Sequence, residues 1–173
     1  MISNETFDLD ATDMALLNAL QTDAGISNLA LAERLGVSPA TCLRRTKRLE
    51  DAGLIEARVA VLSPHKLAEA TGHGLGAVIE VTLDRQDEAT LAAFEARAVA
   101  EPAVQQCYRV SPGPDFVLIT HCADMPEHLA LSQRLFTADR SVRQVKAFFS
   151  LKRAKFSARL PLPTVHPKPL EKR

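Results

Sequence analysis

The stretch SNLALAERLGVSPATCLRRTKRLEDAGL, residues 27–54, decides how the rest of the chain is read. Ser27 is a good N-cap, and Leu29, Leu31, Ala32 and Leu35 follow it at helical intervals. Gly36 closes that helix at the position where a left-handed backbone costs least. Ser38 then caps a further helix, and Pro39 takes its first position, where a missing N–H is harmless. The spacing carries this helix to Ala52 and Gly53 stops it, with Cys42, Leu43, Thr46 and Leu49 as its inward stripe. Two helices joined by a three-residue turn centred on Gly36-Val37 have the helix-turn-helix layout, whose second helix enters the major groove of duplex DNA.

Upstream, Leu9, Met14, Leu16, Leu17 and Leu20 predict another amphipathic helix, started by Asp10, Thr12 and Asp13 and ended by Asp23-Ala24-Gly25. Three short helices therefore precede Gly53. With Cys42 turned inward, a rotation of about 100° per residue puts Ala40, Arg44, Lys47, Arg48 and Asp51 on the opposite face. Thr41 and Arg45 fall at its margins. Small residues at the helix start (Ser38, Ala40, Thr41) permit close approach to base edges. Arg44, Arg45, Lys47 and Arg48 can reach phosphates or grip guanine in a bidentate manner. The competing reading is a plain three-helix bundle with a solvated charged face; the cap, the tight turn and the basic face falling in register weigh against it.

The whole chain has 173 residues and 18.8 kDa, 46% apolar and 24% charged, which suits one medium domain or two small ones and excludes a disordered chain. No apolar run approaches the roughly 20 residues of a membrane helix. The opening MISNETFDLDATD lacks the basic-then-apolar layout of a secretion signal, so a cytoplasmic protein with no membrane partner is expected. Three cysteines (Cys42, Cys107, Cys122) show no metal-ligand spacing, and their odd number argues against a disulfide scaffold. No Trp and a single Tyr (Tyr108) argue against stacking platforms for single strands. Zero net charge hides a segmented distribution: −3 over residues 1–62, −6 over 63–139 and +9 over 140–173. Within the acidic first segment, four of six basic residues crowd into positions 44–48, a local stripe that overall neutrality does not exclude.

After Gly53 the period changes to two: Ile55, Ala57, Val59 and Val61 predict a strand, and Leu62-Ser63-Pro64-His65 a linker. Beyond it, strands are expected at 75–83, 104–110, 115–122 and 142–156, with helices at 87–100 and 126–136. This β-α-β-β-α-β order is the ferredoxin-like arrangement, an antiparallel sheet with both helices on one side. Ile79, Val81 and Phe148 make both sheet faces fairly apolar, which favours pairing of the open face with a second copy. Residues 157–173, with Pro161, Pro163, Pro167 and Pro169 and a net charge of +3, read as an extended, partly disordered tail. The fold class is α+β: a helix-turn-helix (winged-helix-like) domain at 1–53, strand and linker at 54–74, the ferredoxin-like domain at 75–156, then the tail.

An enzyme on the ferredoxin-like fold is disfavoured, because no nucleophile, base and orienting group come together in the pattern. His73, His121 and His128 stand isolated; His121 beside Cys122 reads as a strand-end coincidence and Glu80 as a solvent-facing carboxylate. Cys107 and Cys122 read as packed thiols. Gly72, Gly74 and Gly76 are too irregular for a phosphate loop, and no Lys-Ser/Thr follows them.

The run ISNLALAERLGVSPATCLRRTKRLEDAGLIEARVAVLSPHKL, its core SPATCLRR…RLEDAGLI, and the closing FFSLKRAKFSARLPL resemble the feast/famine regulators, the Lrp/AsnC family, over about residues 8–162. That resemblance implies a transcription regulator with its helix-turn-helix at 27–49 and an inter-domain ribbon at 55–62. It also implies a C-terminal (RAM) domain that joins subunits into dimers, often four dimers to an octamer, and binds an amino-acid effector, with no other cofactor. The turn that lines the effector pocket maps to Val110-Ser111-Pro112-Gly113-Pro114-Asp115-Phe116, so Ser111, Gly113, Asp115 and Phe116 are the implied effector residues. Where the family commonly has Gly, an acid and an aromatic, this chain has Pro112, Gly113 and Pro114, and Arg140-Ser141 replaces the usual Pro-Gly before the last strand. Two prolines remove two N–H donors that would hold a ligand carboxylate. An architectural protein that wraps DNA with little sequence preference is the alternative; long periodic footprints on arbitrary DNA would mark it.

Overall fold

The computed structural model describes residues 8–72 and 74–163; His73 and the end of the proline-rich tail, Pro167 and Pro169 included, lie outside the described residues. The chain divides into two compact units, one holding the chain up to Val61 and again from Lys155, the other Leu62–Ala154.

The first unit is built on α1 (Ala11–Thr22), α2 (Asn28–Leu35) and α3 (Pro39–Asp51). Asp10 and Asp13 form a reciprocal capping box at the start of α1: the Asp13 amide donates to the Asp10 carboxylate at 2.8 Å and the Asp10 amide to that of Asp13 at 3.2 Å. Gly36 adopts φ +67° and ends α2 in a Schellman turn, the Val37 amide reaching the Ala32 carbonyl at 3.0 Å. The Ser38 hydroxyl accepts from the Thr41 amide, so α3 begins where the Ser-Pro pair places it. Leu16, Leu31, Cys42 and Leu49 are buried at the centre, each such leucine contributing about 1.5–3 kcal/mol of burial.

Residues 54–63 form no strand, against the expectation from their alternation. A strand needs a ladder partner, and the strands of the described residues pair only with one another inside the second unit. Ile55 packs on the first core while Val59, Val61 and Leu62 stay exposed. The expected linker holds a helix, α4 (Pro64–Thr71), capped by Ser63 with Pro64 in its first turn, the same Ser-Pro start that opens α3.

The second unit has the order β1 (Leu75–Leu83), α5 (Glu88–Ala100), β2 (Val104–Arg109), β3 (Phe116–Cys122), α6 (Met125–Ser132) and β4 (Val142–Phe149), with one π-helical turn, Gln133–Thr137, following α6. The antiparallel sheet runs β2-β3-β1-β4, with Val81 opposite Phe116 on one side and Val145 on the other. Ala77, Ile79, Val81, Leu83, Phe116 and Leu118 point to the helices and are covered by Phe94, Ala98, Leu131 and Leu135. On the opposite face Val78, Tyr108 and Phe148 are exposed, and Glu80 faces Lys146 at 3.7 Å. Ile79 and Val81 thus belong to the covered face alone.

The last strand stops at Phe149, short of the expected Phe156. Nor is the start of the tail a free extended segment. The Leu160 amide donates to Gln21 Oε1 at 2.6 Å, Gln21 Nε2 donates to the Leu160 carbonyl at 3.3 Å, and Leu162 packs on the core of the first unit. Proline-rich composition favours an unpaired backbone, but here a side chain on α1 supplies both hydrogen-bonding partners of one residue.

Candidate nucleic-acid interface

Helix α3 is fixed at three places, and these decide which of its side chains face outward. At its start the Asn28 side-chain amide donates to the Pro39 carbonyl at 2.9 Å, latching α2 to the first turn of α3. Cys42, Thr46 and Leu49, spaced by four and three residues, turn into the core. The flank is held by the buried carboxylate of Asp13, which accepts from Arg45 Nη1 at 2.9 Å and from Arg48 Nη2 at 2.5 Å; Arg45 also donates to Asp10 at 2.6 Å. Burial pushes the Asp10 carboxyl upward, but the Asp13 amide and the Arg45 guanidinium outweigh it and leave it below the usual carboxylate value.

The outward face is therefore Ala40, Leu43, Arg44 and Lys47, all exposed. Among the described residues Arg44 and Lys47 have no ionic partner. The seven sequence-assigned contact residues do not form one surface. Ala40, Arg44 and Lys47 lie on it. Ser38 and Thr41 border it with their hydroxyls joined at 2.9 Å, Ser38 donating. Arg45 and Arg48 are drawn aside to α1. Leu43, assigned to the inward stripe, is 61% exposed. One residue is 100° of helical turn, which moves Leu43 off the Cys42 side to the margin of the face that holds Arg44. Sequence reasoning missed Asn28 and gave Asp10 and Asp13 only a capping role; carboxylates opening one helix and arginines three residues apart on another were the available signal.

In the second unit the turn between β2 and β3 is closed by the Val110 amide donating to the Asp115 carbonyl at 3.0 Å, and it contains a cis Ser111–Pro112 bond. An open cleft of about 410 Å³ lies against it, lined by Gln86, Leu91, Arg109 and residues 110–115. Ser111 and Gly113 line the cleft. Asp115 lines it too, but its carboxylate is turned in to accept from the Leu83 amide at 2.6 Å. Phe116, an implied effector residue, is fully buried with its ring 4.9 Å from that of Phe94, and so is part of the core instead of the cleft wall. Arg109 supplies the cationic side chain there, paired with Glu88 at 2.9 Å and Glu95 at 3.1 Å.

His121 and Cys122 are adjacent on β3 and so point to opposite sheet faces, which separates them as a joint site. His128 is buried edge-on to the Phe149 ring at 4.9 Å. Burial pushes the thiols of Cys107 and Cys122 above their ordinary value, which disfavours the nucleophilic thiolate at both. Among the described residues no three His, Cys, Asp or Glu are grouped to hold a metal ion, and no helix is long and apolar enough to cross a membrane.

A helix-turn-helix with a cationic outer ridge, followed by a helix-backed antiparallel sheet, defines a two-part DNA-binding regulator. Comparison with known proteins agrees: residues 9–56 match the winged helix-turn-helix DNA-binding family and residues 76–160 the Lrp/AsnC ligand-binding domain. The chain is similar to a leucine-responsive regulatory protein of Rhizobium meliloti, 39% identical over 86% of this chain and 92% of that one. It is also 38% identical to an uncharacterized HTH-type transcriptional regulator of Haemophilus influenzae, over 82% of each chain. Among solved structures, a Neisseria meningitidis transcriptional regulator in complex with L-Met superposes with a TM-score of 0.77 at 32% identity, covering 89% of this chain and 97% of that one. The protein belongs to the Lrp/AsnC family of transcriptional regulators.

Proposed function

We propose that this regulator binds duplex DNA through the outward face of α3, with Ala40, Arg44 and Lys47 in the major groove and Ser38 and Thr41 at the groove edge. The observation that carries this reading is the sorting of the basic cluster: Arg44 and Lys47 are presented to solvent, whereas Arg45 and Arg48 are held by Asp13. In this reading Arg45 and Arg48 set the angle of α3. The division of labour along the chain is a reading head up to residue 53, a connection at 54–74 and a regulatory domain at 75–156, with the tail from 157 returning to the head. The exposed Val78, Tyr108 and Phe148 support a homodimer through the open sheet face, with octamers as the higher assembly. A regulator of this kind works where the chromosome is, in the cytoplasm of a bacterial cell.

The effector is an amino acid bound at the 110–115 turn, a reading supported by the ligand-binding domain match and by the L-Met complex of the Neisseria relative. With Pro112 and Pro114 offering no N–H, the carboxylate of such a ligand falls to Arg109 and the Ser111 and Gly113 amides, in competition with Glu88. No feature of the described residues favours catalysis over regulation.

The test is a mobility-shift series on a duplex selected from a random library. Arg44→Ala is expected to lower affinity by about 1–3 kcal/mol and relax specificity at one position, and Lys47→Ala to weaken all duplexes alike while reducing the salt slope by about one. Unchanged affinity in the double variant would overturn this placement of the reading face. Long periodic footprints on arbitrary DNA would favour the architectural alternative.

A further inference from the structure

One margin of the outward face of α3 is apolar. Leu43 is 61% exposed in the middle of a well-capped helix, with Ala40 one turn before it and Arg44 and Lys47 beside it. A single exposed leucine on a protein surface needs no explanation. This one stands on the ridge that carries the cations, on the only helix face that Asp13, Cys42, Thr46 and Leu49 leave outward. In the major groove the apolar group displayed by a base pair is the thymine 5-methyl, and aliphatic side chains are its partners. Charge and shape agree on the occupant: the neighbouring cations Arg44 and Lys47 suit phosphates, and the aliphatic Leu43 beside them suits a methyl-bearing groove floor.

We infer that Leu43, with Ala40, contacts thymine 5-methyl groups and so determines a preference for T·A pairs in the target. The inference rests on the DNA-binding reading above. Residues 40 and 43 are three apart, a rise of about 4.5 Å along the helix, against about 3.4 Å between successive base pairs. The contacted thymines are therefore neighbours or next-neighbours. Arg44 reads or neutralises beside them, and its own contribution does not depend on the methyl.

The experiment uses the full chain and the duplex selected from a random library, with each thymidine replaced in turn by deoxyuridine. Deoxyuridine pairs identically and lacks only the methyl. At one or two positions per half-site the parent protein is expected to lose about fourfold in affinity, the equivalent of about 0.8 kcal/mol for one buried methylene-sized group. Leu43→Ala is expected to bind the thymidine duplex about fourfold to tenfold more weakly and to be indifferent to deoxyuridine at the position that Leu43 covers. Leucine and alanine have similar helix propensity and position 43 is exposed, so the variant folds; far-ultraviolet circular dichroism confirms this in the same samples. If no thymidine is sensitive, or if parent and Leu43→Ala show the same sensitive positions, the inference is overturned. Those outcomes leave the DNA-binding reading intact provided that Arg44→Ala still weakens binding. If Arg44→Ala and Lys47→Ala change nothing, the reading face itself is wrong and both fall.

Discussion

Replacing Asp13 with asparagine tests the contact on which the orientation of α3 depends. The Asp13 side chain is 1% exposed and receives guanidinium hydrogen bonds from Arg45 at 2.9 Å and Arg48 at 2.5 Å. Asparagine has nearly the same volume but keeps one acceptor oxygen, so the variant removes the charge and one of the two oxygens that receive the guanidiniums. Deleting one partner of a fully buried ion pair costs about 3–5 kcal/mol, because the other charge is stranded. Here the stranded guanidiniums are 22% and 40% exposed, so water recovers part of that, and Arg45 Nε already lies buried with no hydrogen-bond partner among the described residues. The expected loss is therefore about 2 kcal/mol, below the fully buried limit. Cys42, fully buried in the same core, gives a local readout: its alkylation, followed by peptide mass spectrometry, reports opening of the first unit alone. Two kcal/mol corresponds to roughly 30-fold faster labelling, at about 1.4 kcal/mol per factor of ten. A double-mutant cycle with Arg45→Met should return a coupling of about 1 kcal/mol or more. Labelling within threefold of the parent, or a coupling near zero, would refute the claim that Asp13 locks the reading helix.

Two further outcomes are expected. The Asp139 carboxyl, pushed up by burial but pulled down further by the Ser141 amide and hydroxyl and by Arg97, sits below its ordinary value of 3.8. A depressed carboxyl stabilises the fold above the unfolded value and loses that contribution as pH falls through the folded one. Asp139→Asn should thus lower the urea midpoint followed by Tyr108 fluorescence at pH 5 to 7, and the gap to the parent should close below about pH 3.8; a gap that persists or widens in acid contradicts the assignment. Gln21→Ala removes both hydrogen bonds to Leu160 and should destabilise the first unit by about 1 kcal/mol, with a stop after Ala154 costing more because Leu162 is also lost; Cys42 labelling unchanged by the truncation would dismiss the docked tail.

How far residues disclose structure differs along this chain for physical reasons. The turn at Gly36 and the helix start at Ser38-Pro39 are legible because capping and φ preference act within a few residues. The ferredoxin-like sheet is legible because alternation and apolar runs persist for seven residues or more in β1 and β3. Residues 54–63 misled, since alternation tells which side chains match and says nothing about whether a partner backbone exists. The helix at Pro64–Thr71 was overlooked although it repeats the start signal of α3, because it is eight residues long and buries none of them. On α3, periodicity put Ala40, Arg44 and Lys47 outward, where they are exposed, but it put Leu43 inside, because a residue at the margin of the stripe is not resolved by 100° steps. The claim of Asp13 on Arg45 and Arg48 links residues 32 and 35 positions apart, a separation that local pattern does not encode.

The chain leaves the first unit at Val61 and re-enters it at Lys155, so that unit is assembled from two ends of the polypeptide. Its head is consequently not a detachable N-terminal cassette. A fragment ending near residue 61 lacks the seat-filling Leu162 and both partners that Gln21 satisfies, and so starts out loosened. Grafting a head of different specificity onto this regulator would require two seams, with the graft bringing its own returning C-terminal piece matched to its first helix. The same arrangement means that proteolytic nicking in 54–63 severs one tether and leaves the other, so the two halves should co-migrate under native conditions after a single cut.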